Sequence, residues 1–169
     1  AGFLDRHHKE FPKKPLLVTE FGADADPRIR SLNAERFDKS IEYSLYYHQT
    51  YLNAIRERPF VAGAMVWNLA DFNSESREET MPHINNKGLL TLDRQKKDLY
   101  NLYRAYLSKS PIVKISNWST RAGRPDSLKN YSTQPVTVFS NADSVQLTFN
   151  GKLLATEPVE QNEGRFEVP

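Results

Sequence analysis

The sequence has 169 residues, with 23 Lys+Arg against 21 Asp+Glu and a formal net charge of +2. The charges are interspersed, so no basic stripe is present for nucleic acid or an anionic membrane, and no apolar run approaches the roughly 18 residues of a membrane span. The absence of Cys excludes disulfides, thiol nucleophiles and Cys-ligated metals, while 38% hydrophobic and 11% aromatic residues suffice for a packed core.

The chain opens on Ala1-Gly2 rather than Met and shows no charged-then-apolar leader, which reads as a processed product or part of something longer. A Cys-free composition fits a secreted or periplasmic setting without requiring one. His7-His8 fall in the tail of a helix, where adjacent side chains point different ways and make a poor metal site. Pro15-Leu16-Leu17-Val18-Thr19 is a short apolar run before Gly22 and predicts a strand buried on both faces.

Asn33 then reads as a helix cap, with Glu35 in the first turn. Phe37, Ile41, Leu45, Leu52 and Ile55 mark one apolar face, and Pro59 ends the helix. His48 on that face reads as a packed core histidine. Phe60 to Trp67 predicts a second buried strand, Asn68 to Asn86 an irregular polar segment, and Lys96 to Leu107 a second helix. Strand, helix, strand, helix implies two parallel strands joined by a crossover helix.

Past Ser110-Pro111 the pattern changes. Ile112 to Ile115 is short and β-prone. Val136 to Phe139 and Val145 to Phe149 alternate at period 2 around Ser140-Asn141-Ala142-Asp143 and predict a hairpin. Asn150-Gly151 predicts a tight turn into Lys152 to Ala155. Residues 1–110 and 111–169 thus read as two regions, the second a small antiparallel sandwich whose strands run out at the end of the sequence.

Two side chains carry the chemistry. Glu20 follows the first buried strand directly and Trp67 ends the second. In parallel α/β architectures functional residues collect at the carboxyl ends of strands. A carboxylate there can attack an anomeric carbon, and an indole face can stack on a sugar ring. Spacing alone leaves open whether Glu20 is a solvated loop acid and Trp67 a core residue.

Pro15-Leu16-Leu17-Val18-Thr19-Glu20-Phe21-Gly22-Ala23 resembles the nucleophile segment of glycoside hydrolase family 2, the β-galactosidase and β-glucuronidase family. Trp67-Asn68-Leu69-Ala70-Asp71-Phe72 resembles that family's last barrel strand, and Asn85-Asn86-Lys87-Gly88-Leu89-Leu90-Thr91-Leu92-Asp93-Arg94 the segment leading into its last barrel helix. The resemblance implies an α/β region followed by an all-β one: the C-terminal portion of a (β/α)8 TIM barrel over 1–110, then a partial immunoglobulin-like β-sandwich over 111–169. It implies Glu20 as catalytic nucleophile of a retaining β-glycosidase, with Trp67, Asp71, Asn85 and Lys87 at the substrate. No cofactor and no metal are implied, and the partner is a carbohydrate, a β-galactoside or related glycan, rather than nucleic acid or membrane.

The family's general acid/base is a Glu on an earlier barrel strand, and no Asn-Glu motif of that kind occurs here. A complete barrel takes about 250 residues, so the remainder of the barrel is needed for activity and this chain alone is expected to be inactive. The resemblance further implies a cis peptide after Trp67, while Asp93 and Arg94 read as anchors for the start of the last helix. His83 reads equally as a rim residue or a surface-loop residue, and Asp71 as either a structural acid or a hydroxyl binder.

Asn85-Asn86-Lys87 fits the Asn-x-Lys pattern that contacts the substrate carboxylate in the family's glucuronidases, a sound pairing because charge-assisted hydrogen bonds are the strong kind. Lys is also a flexible point charge with limited selectivity. Met81-Pro82-His83-Ile84 and Leu89-Leu90-Thr91 look more like the family's galactosidases. The expectation is therefore β-galactosidase-type hydrolysis of terminal β-linked sugars. The alternatives are a β-glucuronidase using Asn85 and Lys87, and a non-catalytic carbohydrate-binding or structural module.

Overall fold

The structure, a computed structural model, describes residues 2–31, 33–78, 80–116 and 134–168. The chain divides into two compact units, Ala1–Lys97 and Asp98–Pro169.

The first unit runs α1 (Gly2–Glu10), β1 (Leu16–Phe21), α2 (Ile41–Arg56), β2 (Val61–Val66) and two short strands, β3 (Phe72–Asn73) and β4 (Ile84–Asn85). β1 and β2 pair in parallel, from Leu16 opposite Val61 to Phe21 opposite Val66, with α2 as the crossover. The buried stripe of α2 includes Ile41, Leu45, His48 and Leu52, the helical spacing read from the sequence. His48 is fully buried beside the Phe21 ring at 5.5 Å, as a core histidine should be.

The start of α2 differs from the Asn33 expectation. Ser40 is the cap, its hydroxyl accepting from the Tyr43 N–H at 3.0 Å. Asp38 holds a turn just before it, accepting from the Glu35 and Ser40 N–H groups at 2.9 and 2.8 Å. Phe37 and Lys39 take φ of 68° and 63°, which no helix accommodates, so Phe37 is outside the helix and exposed.

Nor are the strands buried on both faces. Leu17 is 59% and Met65 50% exposed, because among the described residues of this unit only one face of the pair is covered. The segment expected to be irregular holds the β3–β4 pair, Phe72 opposite Asn85 and Asn73 opposite Ile84. Strands that short leave no periodicity to read.

The second unit comprises α3 (Asp98–Leu107), β5 (Val113–Ile115), β6 (Gln134–Ser140), β7 (Ser144–Phe149), β8 (Lys152–Pro158) and β9 (Glu163–Val168). One sheet is ordered β5-β6-β9 and the other β7-β8, all antiparallel. The expected β6–β7 hairpin does not form. β6 pairs with β5 and β9, and the link after Ser140 carries the chain from one sheet to the other. Side chains in the link bond elsewhere: the Ser140 hydroxyl donates to the Ile112 carbonyl at 2.8 Å, and Asn141 Nδ2 donates to the carbonyls of Ser108 and Ser110 at 3.0 and 2.8 Å.

The hairpin is β7–β8, closed by Asn150 and Gly151 at φ of 49° and 76°, the pair of positive angles that a twist-matched two-residue turn requires. Val136, Val138, Val145 and Phe166 form the core of this unit. Gly164 permits the close approach, since a Cβ there would lie 2.3 Å from Val145 Cγ2.

Candidate active site

β1 and β2 run in the same direction, so Glu20 near the end of β1 and Trp67 just past β2 come to one end of the pair. The Trp67 N–H extends the ladder by donating to the Phe21 carbonyl at 2.8 Å. Glu20 is exposed, Trp67 is 40% exposed, and the indole meets the Phe72 ring edge-on at 6.0 Å between centroids. The Trp67–Asn68 peptide is cis.

Two glycines make this end compact. A Cβ on Gly22 would lie 1.9 Å from the Trp67 carbonyl oxygen, and one on Gly88 would lie 2.3 Å from the Asp71 nitrogen. Any side chain at either place would drive the segments apart. With Gly88 in contact, the segment after Trp67 pairs with the one after Asn86. Leu89 N–H donates to Asn68, Leu90 N–H to Leu69 and Asp71 N–H to Leu90, at 3.0, 3.0 and 2.9 Å.

Asp71 lies inside this arrangement, 2% exposed. Its Oδ1 accepts from the Gly88 N–H and from Lys97 Nζ, both at 2.8 Å. Lys97 Nζ also donates to the carbonyls of Asn86 at 2.9 Å and Ala25 at 3.4 Å. One buried ammonium thus joins three chain segments. Burial pushes the Asp71 carboxyl up and the Lys97 ammonium down from their ordinary values, while their mutual hydrogen bond works back towards the charged pair.

Asn85 and Asn86 are buried at 6% and 4% exposure, and Asn85 Oδ1 accepts from the Lys87 N–H at 3.4 Å. Lys87 Nζ donates to Asp24 Oδ1 at 2.5 Å, and Lys39 Nζ to Asp24 Oδ2 at 2.9 Å. Burial alone would raise the Asp24 carboxyl, but the two lysine bonds outweigh it and hold it below the usual 3.8.

His83 sits in a turn with φ of 59°, its Nδ1 3.0 Å from the Glu75 carbonyl oxygen. Asp93 and Arg94 do not anchor a helix start. Asp93 accepts from the Thr91 hydroxyl and Arg94 donates to the Leu92 carbonyl, closing a local turn before α3 begins at Asp98. The Asn-Glu pair that the sequence does contain, Asn162-Glu163, lies at β9 in the second unit, where Glu163 accepts from Arg165. Among the described residues no group of three His, Cys, Asp or Glu side chains could hold a metal ion.

Sequence reasoning placed Glu20, Trp67, Asp71, Asn85 and Lys87 on the segments that meet at this end. It passed over Lys97, Asp24 and Lys39. Asp24 had a signal, being an acid four residues past Glu20 and directly after the Pro15–Ala23 motif. Lys97 had none, because a lone lysine beside Lys96 looks like a solvated charge.

The sequence matches the glycosyl hydrolases family 2 TIM barrel domain over residues 3–112, and a domain of unknown function (DUF4982) over residues 132–169. It is 33% identical over 159 residues to a β-glucuronidase of Bacteroides fragilis, covering 89% of this chain and 22% of that protein. It is 25% identical over 166 residues to a β-galactosidase of Bacteroides ovatus, covering 84% of this chain and 19% of that protein. A solved structure of Bacteroides uniformis β-glucuronidase 2, covalently bound to cyclophellitol-6-carboxylate aziridine, superposes with a TM-score of 0.89 at 35% identity, covering 99% of this chain and 20% of that one. The chain therefore spans about a fifth of the length of the relatives it matches.

Proposed function

Because the chain belongs to the glycosyl hydrolases of family 2, we propose that it is part of a retaining β-glucuronidase in which Glu20 is the nucleophile. The observation that carries this reading is Lys87. It stands on the segment beside Trp67, on a backbone held by Gly88, Asp71 and Lys97, with its side chain partly covered and its ammonium bonded to Asp24. An ammonium with an amide close by recognises a carboxylate through charge-assisted hydrogen bonds.

The relatives' names support the same choice. They run mostly to β-glucuronidase, against the galactosidase expectation drawn from Met81 to Ile84 and Leu89 to Thr91. The covalent complex of the Bacteroides uniformis relative carries both features of the proposal, a bond to the enzyme and a 6-carboxylate on the ring.

In the proposed reaction the Glu20 carboxylate attacks the anomeric carbon, and the leaving oxygen departs with a proton from a Glu outside this chain. Water then cleaves the glycosyl ester with that Glu acting as base, and the anomeric configuration is retained. The two carboxyl groups would stand about 5–5.5 Å apart in the assembled site. Trp67 offers an aromatic wall for the ring, and Asn85 and Lys87 receive the C6 carboxylate. Asp71 serves by holding Gly88 and Lys97. The family match running to residue 112 supports a boundary near residue 110 between the barrel portion and the following β-domain.

The test is Lys87→Ala in the intact protein, assayed on paired aryl β-glucuronide and β-galactoside substrates. The expected result is a wild-type preference for the glucuronide that collapses in the variant. A galactoside preference unaffected by Lys87→Ala would restore the galactosidase reading, which the Bacteroides ovatus relative represents.

A further inference from the structure

Asp24 has two carboxylate oxygens, and each receives one ammonium: Oδ1 takes Lys87 at 2.5 Å and Oδ2 takes Lys39 at 2.9 Å. All three side chains are well covered, at 13% exposure for Asp24, 17% for Lys87 and 24% for Lys39. At such sites charge is screened less than at an open surface, and the arrangement of neighbours decides how much of the Lys87 charge a ligand feels.

We propose that Lys39 is a specificity-determining residue for an anionic sugar: by occupying Asp24 Oδ2 it shares that carboxylate with Lys87, so that the one negative charge is divided between two ammonium groups and Lys87 keeps attraction for a sugar carboxylate. The inference rests on the uronate reading of Lys87 and deepens it. With Lys39 removed, Lys87 would be the one ammonium left in hydrogen-bond contact with Asp24, and the two would form a closed pair. A substrate carboxylate would then have to displace an internal anion or sit beside it unshielded. With Lys39 in place, one carboxylate is shared between two ammonium groups, and Lys87 retains attraction for a second carboxylate.

The backbone places Lys39 for this task. Its φ of 63° belongs to the turn that precedes the Ser40 cap, and its carbonyl accepts from the Asp26 N–H at 2.9 Å. The preceding residue on the facing loop, Ala25, donates its N–H to the Asn86 carbonyl at 3.3 Å, beside Lys87. Lys39 would lie on the surface of a helix beginning at Asn33. It reaches Asp24 because the helix starts later.

The experiment uses the intact protein with Lys39→Met and Lys39→Arg. It measures kcat and KM on an aryl β-glucuronide, and competitive inhibition by glucuronate and by its neutral 6-carboxamide. The expected result for Lys39→Met is a KM raised on the order of fivefold with kcat nearly unchanged. Inhibition by glucuronate should weaken in parallel and inhibition by the carboxamide should not, while Lys39→Arg restores the wild-type KM. An unchanged KM in Lys39→Met, or equal weakening of both inhibitors, would overturn the proposal while leaving the uronate reading standing. A wild-type enzyme that prefers neutral glycosides would remove the uronate reading, and this inference with it.

Discussion

The candidate-site end of the first unit and the sandwich core of the second are held by different chemistry. In the first, the residues that hold the functional end together are charged or polar: Asp71, Lys97, Asn85 and Asn86 are all nearly inaccessible, and their bonds join segments that lack regular structure. In the second, valines and a phenylalanine fill the core, and the polar clamps at Ser140, Asn141 and Asn162 sit at the ends of strands. Apolar packing is non-directional and tolerates small shifts. A buried ion pair with hydrogen-bonded carbonyls sets position, which is what a candidate site on irregular segments needs. It brings a liability too, because a buried charge that loses its partner costs far more than a lost methyl group.

The sharpest separation of chemistry from scaffold is Glu20→Gln in the intact protein. Glu20 is exposed, so folding should be unaffected, while nearly all glycosidase activity disappears because an amide cannot form the glycosyl ester. A variant with the wild-type rate would refute the nucleophile role.

Lys97→Met tests the scaffold directly. Asp71 would remain buried without its cation, at a cost of about 3–5 kcal/mol, read as a lowered denaturation midpoint with activity falling in step. Adding Asp71→Leu should recover part of that stability, since an apolar pair of similar size avoids the desolvation penalty. Full wild-type stability in Lys97→Met alone would show that the ion pair is dispensable.

Val138→Ala probes the other unit. Removing two buried methyl groups should cost about 2 kcal/mol of stability and leave KM for the glycoside unchanged. A change in KM would mean that the two kinds of core are not separable in function.

The effect that vanishes at neutral pH and grows on acidification concerns His48. Burial lowers the His48 imidazole from 6.5 to about 3, so the folded state keeps it neutral where the unfolded chain takes up a proton. Its contribution to stability is therefore complete above pH 6.5 and is lost as pH falls from there towards 3, at about 1.4 kcal/mol per pH unit. Comparing denaturation midpoints of the wild type and His48→Gln across that range should show a flatter profile in the variant. Parallel profiles would argue against a neutral buried imidazole.

Much of the first unit was legible in the sequence. The strand leading into Glu20, the helix carrying Ile41, Leu45 and Leu52, and the strand ending before Trp67 all announce themselves through apolar spacing. In the second unit Asn150-Gly151 announces its turn, because both residues tolerate positive φ. The alternation of β6 and β7 was also correct, yet the two strands were not partners. Period 2 reports that a strand has two faces and is silent on which neighbour it meets.

What the sequence by itself determined is what each residue decides with its near neighbours: helical and strand periodicity, turn type, and the family motif around Glu20. Tertiary structure alone decided that Lys97 meets Asp71, that Asp24 stands between Lys39 and Lys87, and that the chain changes sheets after Ser140. The reason is the range of the forces involved. Local dihedral preferences act over a few residues and leave a pattern in the sequence. An ion pair between distant residues forms only once two loops have been brought together by everything else that folds.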